Sequence, residues 1–295
     1  MRVLVTGASG FIGRAVVGGL LAAGHSVRAL THTADSLDGL ESVRGDLRNR
    51  ASLVPALAGV EAVVHLAAVA RVRESFEQPL HYYEVNAGGT VNLLAAADGP
   101  LRVVFVSTGM VYGAPLAQPI AEDCPRAPAN PYAASKAAAE DVVAWTARSG
   151  AIGAATLRVF NAAGGGDRDG TRLITRAVDA AAGGQALTLF GNGTAVRDFV
   201  HVEDIAAAAV LALEHTGFGR HDVFNVGATA ASVRDVVGSV ERVTSRPVPL
   251  VRAPAHEGEV AELRADTTRL RSVLGWEPKR SALDDLVRDQ WLSRA

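Results

Sequence analysis

The first apolar run, residues 3–6, is closed by glycine, and the same signature returns along the first half of the chain. Residues 27–30, 62–66, 103–107 and 154–159 are near-continuous apolar stretches of strand length. Between them the apolar positions take helical spacing. Residues 11–23 form one such segment, stopped by Gly24, and residues 52–58 and 80–97 form two more. A fourth opens at Pro131 and runs to about Ser149, ahead of Gly150. Strands that alternate with helices predict a parallel sheet covered on both faces. Beyond residue 160 the pattern changes. Residues 164–170 make a polar, glycine-rich loop, and helices are predicted near 171–182, 202–214, 232–244 and 281–292, with short apolar runs between them. Pro247, Pro249, Pro254 and Gly258 mark a looped stretch. With no internal repeat and no low-complexity linker, the two parts are predicted to pack closely.

Composition narrows the class. A chain of 295 residues holds about two small units or one large α/β unit, with ample length for a core. A net charge of −2 carries no basic excess for nucleic acid or an anionic membrane surface. Aromatic residues, at 5%, are too few for a repeated base-stacking surface. The single cysteine, Cys124, excludes an internal disulfide framework and any Cys₂ zinc site, and the histidines show no metal-ligand spacing, so no metal is expected. No apolar run approaches the roughly 18 residues of a membrane span. The N-terminal apolar stretch is cut early by Gly7, Ser9 and Gly10, unlike a signal peptide, so a cytoplasmic protein is expected. Of the 29 cations 27 are Arg, and only Lys136 and Lys279 are lysine. In a chain that writes almost every cation as Arg, a lysine at a suggestive position carries extra information.

Chemistry enters first at Gly7-Ala8-Ser9-Gly10-Phe11-Ile12-Gly13, between the first predicted strand and helix. Glycine lets the backbone turn tightly and lets a pyrophosphate approach the helix N-terminus, where free N–H groups and the helix dipole favour anions. At this junction the pattern predicts a Rossmann-type dinucleotide site rather than an ordinary turn. The acid that ordinarily ends the second strand and binds the ribose 2′-OH is replaced by Thr31, followed by His32, which leaves NAD and NADP both open. Asp46 is a candidate adenine contact, or equally a loop or cap aspartate.

The second constellation is Tyr132-Ala133-Ala134-Ser135-Lys136, at a helix start. The i, i+4 spacing sets phenol and ammonium on one face. A free tyrosine titrates near pH ~10, and a neighbouring ammonium favours the phenolate, so the pair could move a proton to or from a sugar hydroxyl. Thr108, just past the fourth predicted strand, could hydrogen-bond the same oxygen, since adjacent strand ends bring their loops to one face.

Together these motifs resemble the extended short-chain dehydrogenase/reductase superfamily, and within it the nucleotide-sugar 4-epimerases. The resemblance runs through TGASGFIG at the start, GDLRN at 45–49, VVHLAA at 63–68, YYEVNAGGTVNLL at 82–94, STGMVYG at 107–113, PYAASK at 131–136, LRVFN at 157–161, LTLFGNGTAVRDFVHVEDIA at 187–206, FNVG at 224–227 and ADTTRLRSVLGWEP at 265–278. It implies a doubly wound parallel sheet of Rossmann type over residues 1–160, with returns near 198–226, and a smaller α/β substrate domain over most of 161–295. It implies Tyr132 as acid/base, Lys136 as its partner and Thr108 as the assisting hydroxyl. Gly7, Gly10, Phe11, Ile12 and Gly13 would bind the cofactor pyrophosphate. Asp46 and Leu47 would border adenine, and Leu66, Ala67, Ala68 and Asn86 would line the groove. Asn161 and Arg197 would hold the substrate diphosphate, with Thr188 and Phe190 beside the base. Arg197 alone could equally pair with Asp198 or Asp204. The implied reaction is NAD-dependent 4-epimerisation of a UDP-sugar through a 4-keto intermediate, in a homodimer joined through helices near 80–97 and 131–149.

Departures from the pattern sharpen this reading. The acids that 4,6-dehydratases and decarboxylases place after the active-site Thr are Gly109 and Met110 here, which cannot do acid/base chemistry. Arg73 and Arg168 match arginines of UDP-glucuronate 4-epimerases, whereas Asn161 follows the UDP-glucose pattern, and the balance slightly favours UDP-glucuronate. His256 stands where a diphosphate-binding Arg is common in these epimerases. The alternatives are an NAD(P)H-dependent 4-ketoreductase and a non-catalytic dinucleotide sensor.

Overall fold

Val3, Leu4, Val5, Val63 and Val64 are wholly buried, so the first apolar runs sit in mid-sheet, where both strand faces are covered. The computed structural model describes residues 1–32, 37, 39–255 and 260–294. Its strands are β1 (Arg2–Thr6), β2 (Ser26–Thr31), β3 (Glu41–Arg44), β4 (Ala62–His65), β5 (Leu101–Thr108), β6 (Ile152–Val159), β7 (Asn161–Ala163), β8 (Leu187–Phe190), β9 (Val196–His201), β10 (His221–Val226), β11 (Thr229–Ser232), β12 (Leu250–Ala253) and β13 (Glu262–Leu263). Its α-helices are α1 (Phe11–Ala22), α2 (Arg50–Leu57), α3 (Val72–Glu77), α4 (Pro79–Tyr82), α5 (Gly89–Ala95), α6 (Pro131–Arg148), α7 (Leu173–Ala181), α8 (Val202–His215), α9 (Val233–Thr244), α10 (Thr268–Leu274) and α11 (Leu283–Leu292).

The main sheet has seven strands in the order β10-β6-β5-β4-β1-β2-β3, and every pairing is parallel. Alternation along β1 divides the core. Val3 and Val5 pack with α1 and α8 on one face, and Leu4 packs with α2, α5 and α6 on the other. The chain leaves β1 towards β2 and β3, then returns to β4 and proceeds the opposite way, so the strand order reverses between β1 and β4. Ligands of open α/β sheets bind at such a reversal, beyond the strands' carboxyl ends. The expected fold class is the observed one.

The remaining strands form a four-stranded sheet, in which β9 pairs with β7, β11 and β13, and a β8–β12 pair. Helices α7, α9 and α11 enclose a second core with Leu187 and Phe199. Asp204 of α8 joins the two parts. Its carboxylate accepts from the backbone N–H of Lys279 (2.8 Å) and Arg280 (3.0 Å) and from the Ser281 hydroxyl (2.5 Å), and its carbonyl accepts from the Trp276 indole (2.9 Å).

One predicted element differs in kind. Residues 80–97 are α4, then a π-helical turn over Tyr83–Gly88, then α5. The wider turn coincides with Asn86, whose side chain is pinned inward, as described below. Strand β3 lacks a continuous apolar run because it lies at the sheet edge. No helix among the described residues is long and apolar enough to cross a membrane.

Candidate active site

The turn after β1 is built for close approach. Gly7 has φ of 70°, and a Cβ there would stand 2.8 Å from the backbone nitrogen of Ala67, past the end of β4. A Cβ on Gly13 would stand 2.0 Å from the Gly7 carbonyl oxygen. Helix α1 opens at Gly10 with no side-chain cap and no acid in its first turn, so its first N–H groups face the crevice unneutralised. The groove beside it, about 300 Å³, is lined by Gly7, Ser9, Leu47, Ala67, Ala68 and Val85 among others. A turn with no room for a Cβ at Gly7 or Gly13, opening onto the N–H groups of a helix start, fits a dinucleotide pyrophosphate.

A buried polar chain fixes the floor of that groove. Thr6 Oγ1 accepts from the backbone N–H of Leu66 (3.1 Å) and Ala67 (3.0 Å). Its proton therefore goes to His65 Nδ1 (2.7 Å), and His65 Nε2–H donates to Thr90 Oγ1 (3.1 Å), whose own proton goes to the Asn86 carbonyl (2.6 Å). Burial, with the Lys136 charge adding to it, lowers the His65 pKa to about 3, which keeps the ring neutral in this tautomer. The Asn86 amide holds both backbone groups of Val69 and donates to Ser135 Oγ (2.9 Å), one turn from Tyr132. Groove floor and helix α6 are thus one hydrogen-bonded unit.

Helix α6 carries the candidate pair, Tyr132 and Lys136. Asn130 caps it, its side chain accepting from the Ala133 N–H, and Pro131 fills the first turn. Tyr132 is half-buried at the crevice, edge-on to the Tyr82 ring at 6.4 Å. Burial raises its pKa, while the hydrogen-bonding Thr108 side chain and the Arg172 charge pull it down. Thr108 is buried, and its hydroxyl also accepts from the Met110 N–H (3.2 Å). Lys136 is buried with Nζ 4.0 Å from the Phe105 ring centroid. Burial pushes its pKa down to about 7, against the pull of Glu140. Glu140 lies one further turn along the same face. It accepts from Ser107 (2.5 Å), forks with Arg158 (2.7 Å at the shortest), and meets Arg126 (3.3 Å). Arg158 in turn donates to Tyr112 Oη (2.7 Å), which donates to Asn225 of β10. The helix is therefore bound through charge to β5, β6 and β10, which fixes where the phenol points.

The other predicted residues fall as follows. Asp46 and Leu47 border the groove at its far end. Asn161 begins β7 and donates to the Asp198 carbonyl (3.0 Å). Thr188 and Phe190 share one face of β8, opposite buried Leu187 and Leu189. Arg197 Nη1 donates to the Val196 (2.8 Å) and Val260 (2.9 Å) carbonyls. Arg73, on α3, and Arg168 are exposed. His256 lies outside the described residues. A further cation at the crevice is Arg172, four residues past Arg168, whose charge acts on Tyr132. Its guanidinium lies 5.1 Å from the Phe11 ring centroid and 3.2 Å from Asp167. Arg172, Glu140 and Ser107 were not singled out in the sequence. Only Glu140 left a signal, its i, i+4 place beyond Lys136. Gly109 packs so tightly that a Cβ would stand 2.8 Å from the Phe160 ring, which bars a dehydratase-type acid there.

Comparison with known proteins places this geometry. The model of the NAD dependent epimerase/dehydratase family matches residues 3–227. A UDP-glucose 4-epimerase of Corynebacterium glutamicum is 35% identical over 99% of this chain and 95% of its own length. The crystal structure of the UDP-glucose 4-epimerase of Brucella ovis with NAD superposes with a TM-score of 0.91 at 34% identity, covering 99% of this chain and 97% of that one. The protein MoeE5, solved with NAD and either UDP-glucose or UDP-glucuronic acid, superposes with a TM-score of 0.89 at 32% identity over 100% of this chain and 99% of its own. The fold agrees with these matches, and the chain belongs to the NAD dependent epimerase/dehydratase family.

Proposed function

We propose that this protein interconverts UDP-glucose and UDP-galactose by 4-epimerisation, with NAD held in the β1–β4 crevice. The observation that carries the reading is the phenol of Tyr132, with Thr108 at its hydroxyl and Lys136 one turn below, at the mouth of a dinucleotide groove. When bound, NAD would supply the hydride acceptor and donor that oxidation and re-reduction at the sugar C4 require, held by the Gly7–Gly13 turn and the groove of Leu47, Ala67 and Ala68. Tyr132 Oη takes the C4 hydroxyl proton and gives it back when the hydroxyl re-forms. Thr108 Oγ1 orients that hydroxyl, and the Lys136 ammonium stabilises the phenolate. Asn161 and Arg197 hold the diphosphate, with Thr188 and Phe190 beside the uracil. Anchoring by nucleotide leaves the keto sugar free to turn.

The slight preference for UDP-glucuronate that Arg73 and Arg168 suggested finds no support. Relatives of Corynebacterium glutamicum and Lactobacillus helveticus, 35% and 36% identical, are named UDP-glucose 4-epimerase, and both arginines are exposed. A homodimer accords with the apolar surface of Leu80, Tyr83, Val91 and Trp145 on α4 to α6, which is 42–83% exposed in the single chain.

The test incubates purified protein with UDP-glucose, without added cofactor, and follows the sugar C4 proton by NMR. UDP-galactose should form, and Tyr132→Phe should lower kcat by a factor on the order of 10²–10⁴ with UDP-sugar binding retained. Turnover only with stoichiometric NADPH would indicate a ketoreductase, and conversion of UDP-glucuronate alone would restore the hexuronate reading. Unchanged turnover by Tyr132→Phe overturns the chemistry.

A further inference from the structure

Dinucleotide-binding folds sort NAD from NADP at the end of the second strand, where an acid accepts from the ribose 2′-OH or an arginine meets a 2′-phosphate. In this protein β2 ends at Thr31, which is neutral. The parallel register places Arg44 of β3 directly beside Thr31, and His32 follows. Beyond the groove that would hold the adenosine, a second cavity of about 320 Å³ is lined by His32, Arg44, Gly45, Asp46 and Ser52. His32, Gly45 and Asp46 line both spaces, so they are neighbours at one end of the cleft.

The charges there are sorted. Arg28 is committed to Glu41, at 2.7 Å. Arg48 forks onto the Asp46 carboxylate (2.6 Å at the shortest) and also donates its backbone N–H to it (2.9 Å), which holds Asp46 ionised and neutralises it. Arg44 is the guanidinium that lines the cavity itself, with the His32 imidazole at its rim, Nδ1 3.8 Å from the Asp46 carboxylate that Arg48 neutralises. An NAD-selective site needs an acceptor here, whereas a phosphomonoester needs cationic donors in a fork.

We propose that this cavity accepts a phosphate on the ribose 2′ oxygen, through Arg44 and His32, so that the protein binds NADP as well as NAD. The inference rests on the dinucleotide cleft and is independent of which sugar is turned over. With no carboxylate at residue 31, the doubly charged phosphate meets no like charge from β2, and the neutral Thr31 still admits an unphosphorylated ribose.

The experiment uses cofactor-stripped full-length protein and calorimetric titration with NAD⁺, NADP⁺, 5′-AMP and adenosine 2′,5′-bisphosphate. NADP⁺ should bind within about tenfold of NAD⁺, and the bisphosphate more tightly than 5′-AMP. Arg44→Ala should weaken NADP⁺ and the bisphosphate by about tenfold or more and leave NAD⁺ nearly unchanged. Arg44 is exposed at the sheet edge, and His32→Ala serves as a second variant with a smaller loss of the same selectivity. NADP⁺ binding weaker than NAD⁺ by more than about tenfold, or an Arg44→Ala loss shared equally by both dinucleotides, overturns the proposal and leaves the Tyr132 chemistry untouched.

Discussion

At the scale of the residue, the site is a contest between burial and charge. Tyr132 and Lys136 are both pushed towards their neutral forms by desolvation, and each is pulled back by a neighbour: Thr108 and Arg172 for the phenol, Glu140 for the ammonium. Burial prevails in both: the cofactor-free phenol is held above its ordinary value, while Lys136 is brought to where it can change state near neutral pH. Lys136 also links catalysis to stability. Unfolded, it keeps its proton to about pH 10.5, and folded it releases it near pH 7. Between those values the unfolded chain binds more protons, so this residue's contribution to stability rises as pH climbs from 7 towards 10.5 and is least favourable below 7. Lys136→Met should therefore stabilise the cofactor-free protein at pH 7 by an amount on the order of a few kcal/mol, and flatten its stability between pH 7 and 10, while abolishing turnover. Chemical denaturation across that range checks it, and an unchanged pH slope refutes it. The scarcity of lysine made this residue legible, since an Arg-rich chain still places lysine where a compact ammonium must sit beside a phenol. The same skew hid Arg172: among 27 arginines nothing local marks the one that a helix start carries onto Phe11.

At the scale of the element, what could be read was periodic or punctuated. The central strands and α6 were legible because burial on both faces, or Pro131 and Gly150 at the ends, leaves a mark in the sequence. The π-helical turn was not, because its cause is a long-range hydrogen bond: Asn86 turns inward to meet Val69 and Ser135, and helical spacing alone does not register one wider turn. Glu140 could be placed on the face of Tyr132 and Lys136, yet burial against Arg158 depends on β6, a partner 18 residues away. The first turn is the element where one atom decides most. Alanine at Gly13 would bring a Cβ against the Gly7 carbonyl and the Ala8 backbone, neither of which can yield without lifting α1 from β1. Gly13→Ala should cost about 1–3 kcal/mol from overpacking alone and remove dinucleotide binding. Thermal unfolding with and without NAD measures both effects, and a variant still stabilised by NAD as the native protein is would contradict the cradle's geometry.

At the scale of the whole molecule, much of what holds the second core to the main sheet converges on Asp204. Its carboxylate gathers the backbone of Lys279 and Arg280 and the Ser281 hydroxyl, and the Trp276 indole docks on its carbonyl. Ser281 also accepts, at its carbonyl from the Thr229 hydroxyl and at its Oγ from the His201 backbone N–H, so the junction reaches β11 and the cap of α8 as well. Asp204 is 3% exposed, and replacing it with alanine leaves three donors, the Ser281 hydroxyl among them buried, without their acceptor. A hydrogen bond to a charged group contributes about 1.5–3 kcal/mol, and the three are not additive, so Asp204→Ala should lose about 2–4 kcal/mol. The loss should be local first, because the apolar cores of both parts remain intact. Trp276 is fully buried while Trp145 is 66% exposed, so release of the 268–281 segment should shift the blue component of tryptophan emission before the helical signal falls. Coincident fluorescence and circular-dichroism transitions in Asp204→Ala would show instead that the two parts unfold as one unit, with Asp204 adding stability but no separate hinge.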